Sequence, residues 1–184
     1  MMLIIGLGNP GSEYAETRHN AGFMLVDRLS AEYGIVLSVK GKGLRGMGRI
    51  AGEEVALLKP LTYMNRSGQA VSEFLQVHPV GPEKIIVAFD DCDLPLGKIR
   101  IRGGGGSGGH KGLASVMETL GTKDMPRIRL GIGRPHDGDV VDFVLSPFHP
   151  DEQPALDEML GRARDAVESI IACGIGQAMN RHNN

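Results

Sequence analysis

Apolar and polar positions along the chain switch repeatedly between two periods. Residues 3–7 form a short apolar run that ends in glycines, as a strand buried on both faces would, and Phe23, Val26 and Leu29 then recur at helical spacing. Residues 44–50 and 55–58 flank Ala51-Gly52-Glu53-Glu54, which predicts a hairpin with a four-residue turn, and Pro60 closes its second strand. A helix is predicted over residues 67–77. Ile85-Ile86-Val87-Ala88-Phe89 reads as a second buried strand, cut off by Asp90-Asp91-Cys92-Asp93 ahead of Pro95. Ile99-Arg100-Ile101-Arg102 alternates like a half-exposed strand, residues 112–120 read as helix and 128–132 as strand. Leu156, Met159, Leu160, Ala163, Val167, Ile170 and Ile171 mark one face of a long helix that ends before Gly174. Strands interleaved with helices, plus one hairpin, predict an α/β fold: a single domain over residues 1–184, with a mixed β-sheet covered by helices on both faces.

With 184 residues, 41% hydrophobic and 23% charged, the chain has the composition of a folded globular domain. No apolar run approaches the roughly 18 residues of a membrane span, and the uncharged start stops at Gly6, so neither a span nor a secretory leader is expected. Cys92 and Cys173 are too few for a disulfide framework and lack metal-ligand spacing, which suits the cytoplasm. The net charge of −2 is unevenly spread: residues 98–134 hold eight Lys or Arg against Glu118 and Asp124, a local +6 that leaves −8 for the rest. Such asymmetry suits a polyanion bound at one place. A smaller basic segment contains Lys40, Lys42, Arg45 and Arg49 with no acid among them. Either cluster also fits the solvated face of a strand or loop.

The 27 glycines sit at particular turns. Gly6-Leu7-Gly8-Asn9-Pro10-Gly11 matches the dinucleotide pattern GxGxxG after a strand. However, Pro10 lies inside the turn, Thr17-Arg18-His19-Asn20 intervenes before the helix, and the next apolar run ends in Lys40 rather than an acid. Nicotinamide or flavin binding is therefore not expected. Residues 103–109, GGGGSGG, lack the GK[ST] ending of a nucleotide triphosphatase loop, yet they allow a bulky ligand to approach bare backbone.

Three polar segments fall beyond strand ends, where open α/β sheets bind ligands: residues 9–20, 90–93 and 103–111. His19 there has the chemistry of a general base, and Asp90 could orient it; equally, a lone histidine can be inert, and Asp90, Asp91 and Asp93 can simply cap a turn. No serine lies in a GxSxG setting and neither cysteine has a partner histidine, so direct attack by water is simpler than covalent catalysis.

GLGNPG followed by EYAETRHNAG, then PLTYMNRSG, then FDDCDLPLGKIRIRGGGGSGGHKGL, then RIRLGIGRP and DFVLSPF resembles in order and spacing the bacterial-type peptidyl-tRNA hydrolases, from residue 3 to about 180. The resemblance implies a three-layer α/β/α enzyme that hydrolyses the ester joining a peptide to the terminal ribose of tRNA, without metal or cofactor, as a cytoplasmic monomer. His19 matches the family's general base, Asp90 the carboxylate that orients it, and Asn9 the asparagine that distinguishes a blocked amine. Tyr14, Tyr63, Met64, Asn65 and His110 match substrate-contacting positions, and Arg102 and Arg129 match cations that grip a tRNA phosphate. Lys111 departs from the pattern, standing where asparagine is common, and Phe89 stands where histidine is frequent. A lysine can donate but not accept a hydrogen bond, so it would meet a phosphate or a developing oxyanion. Rival readings are a non-catalytic RNA-binding relative of the same fold and a generic esterase. Residues 137–142 are a candidate lid.

Overall fold

The computed structural model describes residues 1–183. Seven strands form one sheet: β1 (Met2–Gly6), β2 (Ser38–Lys40), β3 (Gly43–Ile50), β4 (Glu53–Pro60), β5 (Ile85–Asp91), β6 (Ile99–Arg102) and β7 (Arg127–Gly131). Their order is β2-β3-β4-β1-β5-β7-β6, and the four middle strands are parallel while β2, β3 and β6 run antiparallel to their neighbours. The expected mixed sheet is thus present.

Side chains of a strand alternate between faces, and here both faces are covered. Ile4, Ile86, Ala88, Ile128 and Leu130 pack with α1 (Ala21–Tyr33), α5 (Gln153–Cys173) and α6 (Ile175–His182). On the other face Leu3, Ile5, Val87 and Phe89 pack with α2 (Ser67–Val77) and α3 (Lys111–Leu120). The short α4 (Val140–Val144) buries no residue fully, and only Phe143 and Val144 of it pack against the first of these clusters. Neither α4 nor α6 stood out from the hydrophobic pattern, because α4 is five residues long and α6 buries only Ala178.

The hairpin turn is tighter than expected. Ala51 and Gly52 alone make it, with φ of 51° and 82°, and Glu53 and Glu54 pair with Ile50 and Arg49 inside the ladder. Positive φ at both central residues gives the turn a twist that matches that of the strands, so two residues suffice.

The chain leaves β1 to form α1 on one face and leaves β4 to form α2 on the other. Diverging connections of this kind open a crevice beyond the carboxyl ends of the parallel strands. Gly6 and Gly22 set its depth: a Cβ on Gly6 would collide with the Gly22 carbonyl, and one on Gly22 with the backbone of Leu7 and Ala88. Gly6 and Gly8 of the GxGxxG look-alike therefore serve helix packing, against Gly22 and Phe23 of α1, and draw its start down onto the ends of β1 and β5.

Candidate active site

Asp90 stands one residue before the end of β5, on the face where α1 begins, and it is almost fully buried. Both its oxygens lie 2.9 Å from His19 Nδ1, and Oδ1 is also 2.9 Å from His110 Nε2. The hydrogen bonds assign the tautomers. His110 Nδ1 caps α3 by accepting from the Leu113 N–H at 3.2 Å, so its proton sits on Nε2 and points at Asp90. His19 donates from Nδ1 to the same carboxylate, which leaves the Nε2 lone pair for the cleft. Burial alone would push the Asp90 pKa up; the charge and hydrogen bonds of His110, with the hydrogen bond and charge of His19, outweigh it and hold the carboxyl at about 2 against an ordinary 3.8. The site thus fixes an ionised acceptor for two imidazole N–H donors.

The turn before α1 is held by a reciprocal pair. Asn9 N–H donates to Asn20 Oδ1 at 2.8 Å, and Asn20 Nδ2 donates to the Asn9 carbonyl at 2.9 Å. Asn20 is at the N-cap position of α1 but makes no side-chain cap, its amide being engaged by Asn9. The Met64 N–H donates to Asn9 Oδ1 at 2.9 Å, so the amide of Asn9 is oriented with its NH2 unpaired beside the cleft. Sequence reasoning missed Asn20; the signal was a cap-type residue directly after the candidate base.

The cleft has a volume of about 640 Å³. Asn9, His19 and Asp90 lie in its lining, as do Tyr63, Met64, Asn65, His110, Lys111, Arg102 and Arg129. Tyr63 is 61% exposed while Met64 is buried, so the first offers a ring at the mouth and the second a wall. Tyr14 is not part of the lining; its main chain belongs to the turn that leads to Thr17. His110 lines the cleft, but both its ring nitrogens are taken up inside the protein, so its place is behind the base rather than against a substrate. Val140, Val141, Val144 and Leu145, from and just after α4, form an apolar wall that the residue pattern did not reveal.

The basic segment divides into paired and unpaired cations. The strand register sets Arg100 opposite Arg129 and Arg102 opposite Arg127, on the face away from Ile99, Ile101, Ile128 and Leu130. Arg127 is buried and donates to the carbonyls of Gly105 at 2.9 Å, Gly106 at 3.0 Å and Lys123 at 2.6 Å, which pins the glycine loop. Arg129 donates through Nε to Asp91 at 2.6 Å, leaving its other nitrogens without a partner among the described residues, and Arg134 pairs with Asp93. Arg102 and Lys111 are exposed and have no partner among the described residues. Within the glycine loop Gly105, Gly108 and Gly109 have φ of 127°, 58° and 82°, a backbone that other residues rarely adopt.

Among the described residues, His19, Asp90 and His110 form the cluster with metal-ligand character, their ligand atoms lying within 4.8 Å of one another. At 2.9 Å their separations are those of hydrogen bonds, and a bound ion would have to displace both protons. Cys92 also lines the cleft; burial, then Asp90 and Asp91, push its thiol up to about 11, so it is protonated at neutral pH and a poor nucleophile.

A family model described as peptidyl-tRNA hydrolase matches residues 3–184. The peptidyl-tRNA hydrolase of Caldanaerobacter subterraneus subsp. tengcongensis is 50% identical over 100% of both chains, and that of Geobacillus thermodenitrificans 48% identical over 100% of both. A solved peptidyl-tRNA hydrolase from Acinetobacter baumannii superposes with a TM-score of 0.93 at 43% identity, covering 100% of this chain and 94% of that one. Fold, motif order and identity agree from residue 3 onward, and the protein belongs to the peptidyl-tRNA hydrolase family.

Proposed function

We propose that this protein hydrolyses the ester between a peptide, or an N-blocked aminoacyl group, and the 3′-terminal ribose of tRNA. The observation that carries the reading is the His19 Nδ1 to Asp90 contact at 2.9 Å, which leaves Nε2 unpaired in a cleft bordered by unpaired cations. In this mechanism His19 Nε2 takes a proton from water as the oxygen attacks the ester carbonyl. The tetrahedral intermediate collapses to a peptide carboxylic acid, which releases its proton to solvent, and to the ribose hydroxyl, whose proton returns from the imidazolium. Asp90 keeps the imidazole in the required tautomer and stabilises its charged form. The unpaired NH2 of Asn9 and the exposed amide of Asn65 hold the peptide end, and Lys111 supports negative charge developing on the carbonyl oxygen or on a nearby phosphate. Arg102 and Arg129 meet the tRNA backbone.

The whole of residues 1–184 works as one domain and as a monomer, in the cytoplasm, with water as the sole co-reactant. Among the described residues no helix is long and apolar enough to cross a membrane. The test is release of labelled peptide from N-acetyl-aminoacyl-tRNA, with free aminoacyl-tRNA as control and EDTA present. His19→Ala is expected to lower turnover by at least about 100-fold while tRNA affinity stays nearly intact. Tight tRNA binding with no cleavage by the unaltered protein would instead support a non-catalytic RNA-binding role, and cleavage of simple esters at the same rate would support a generic esterase.

A further inference from the structure

Arg18 immediately precedes the base, yet it lies outside the cleft lining and is only 7% exposed. Its guanidinium reaches into the stem of the segment that carries α4. Nη1 and Nη2 donate to the two oxygens of Glu152 at 3.1 and 2.8 Å, and Nε donates to Ser146 Oγ at 3.3 Å. The guanidinium carbon lies 4.4 Å from the Phe143 ring centre and 5.0 Å from that of Phe148. The main chain joins in: Arg18 N–H donates to the Ser146 carbonyl at 3.0 Å, and Thr17 bridges Pro147 in antiparallel fashion. Glu152 is in turn fixed by the His149 N–H at 2.6 Å. A planar, forked and stackable cation makes all these contacts at once, which a lysine cannot do.

What this clasp holds is the apolar wall of the cleft. Val140, Val141 and Leu145 are 41%, 57% and 40% exposed, and all three line it. The same segment carries Asp137, Asp139 and Asp142 and no Lys or Arg between residues 135 and 145, so it repels a nucleic-acid backbone and suits an uncharged, apolar group. The cations of the cleft come from other segments, among them β6, β7 and the start of α3. Tying the wall to the residue before His19 sets the distance between whatever packs on the wall and the base.

We propose that Arg18 is a positioning residue that holds the α4 segment as a binding wall for the apolar side chain of the peptide residue esterified to tRNA. The proposal rests on the reading of the cleft as the peptidyl-ester site. Proton transfer belongs to His19 and Asp90, so the effect of Arg18 falls on substrate binding and scales with the apolar surface of the substrate.

The experiment is steady-state cleavage of N-acetyl-leucyl-tRNA and N-acetyl-glycyl-tRNA by the unaltered protein, Arg18→Lys, the pair Val140→Ser with Val141→Ser, and all three together. Arg18→Lys is expected to raise KM for the leucyl substrate about tenfold, the equivalent of one or two methylenes left unburied, and to change KM for the glycyl substrate by less than about twofold. The turnover number and its pH dependence stay as they were. The exposed valine pair gives the same leucyl-specific rise, and the triple variant is no worse than either alone, since both routes remove one wall. A fall in turnover or a shifted pH profile with KM unchanged would overturn the proposal by placing Arg18 in the orientation of His19 itself. Fully additive losses, no rise in leucyl KM, or equal rises for both substrates would also overturn it. If Arg18→Lys fails to fold, the leucyl-to-glycyl ratio of the valine pair decides alone. Failure of the unaltered protein to cleave either substrate would strike the hydrolase reading itself and is recognised in that control.

Discussion

At the His19 corner of the cleft, the groups that orient the base have partners inside the protein. At the β6–β7 corner, cations facing the same space keep donors unpaired. Asp90 accepts from two imidazoles, Asn20 uses both ends of its amide on Asn9, and His110 uses both ring nitrogens. Arg102 and Lys111, by contrast, have no partner among the described residues, and Arg129 offers two nitrogens beyond its bond to Asp91. A proton-transfer group must be held in one tautomer and one position before substrate arrives, so its surroundings are satisfied in advance. Groups that meet phosphate must remain free to exchange counterions for it.

Asp90→Asn breaks the first corner most severely. The amide carries no negative charge to stabilise a charged His19, and its NH2 would stand beside His19 Nδ1 as a second donor, against the tautomer that leaves Nε2 free. Turnover is expected to fall by about 10² to 10⁴, measured on N-acetyl-aminoacyl-tRNA, with little change in tRNA affinity. Unchanged turnover would mean that His19 takes its orientation from elsewhere.

The same carboxylate links the corner to acid stability. Its folded pKa of about 2 lies below the ordinary 3.8, so its stabilising contribution is complete above about pH 3.8 and is lost as pH falls through about 2. The contribution is about 2 kcal/mol. Urea unfolding of the unaltered protein at pH 5 and pH 2 should therefore show a larger loss than the same comparison on Asp90→Asn; equal losses would remove Asp90 from the stability of the fold.

The second corner gives a smaller effect with a different signature. Arg102→Ala with Arg129→Ala is expected to raise KM about tenfold at moderate salt and to flatten the salt dependence of binding by about 0.9 per lost phosphate contact, with turnover preserved. An unchanged salt slope would place the tRNA site on another face.

How much of this was legible in the sequence depended on how far apart the partners lie. The strand over residues 85–89 was visible as an apolar run, and its abrupt acidic end marked Asp90. His19 stood out beside a glycine-rich turn, and the family motifs joined the two. The second bond to Asp90, from a histidine 20 residues away, was not visible, because nothing in the local pattern of His110 separates a substrate contact from a buried donor. Charge counting gave the +6 segment but could not divide it. Arg127 becomes a loop anchor only through carbonyls 21 and 22 residues distant, and Arg129 and Arg134 meet acids 38 and 41 residues away. Arg18 reads as one letter of a motif until Glu152, 134 residues on, is brought against it.

The strand order has a consequence for synthesis. Strand β6 lies at the sheet edge, yet it is made before β7, the strand that joins it to β5. His19, at the turn before α1, Asp90 on β5 and His110 at the N-cap of α3 all precede β7 in the chain, so every residue of this triad is made before β6 has a neighbour to pair with. The vectorial order of translation therefore leaves the edge that carries Arg100 and Arg102 unpaired until β7, the last parallel strand, is inserted between it and β5.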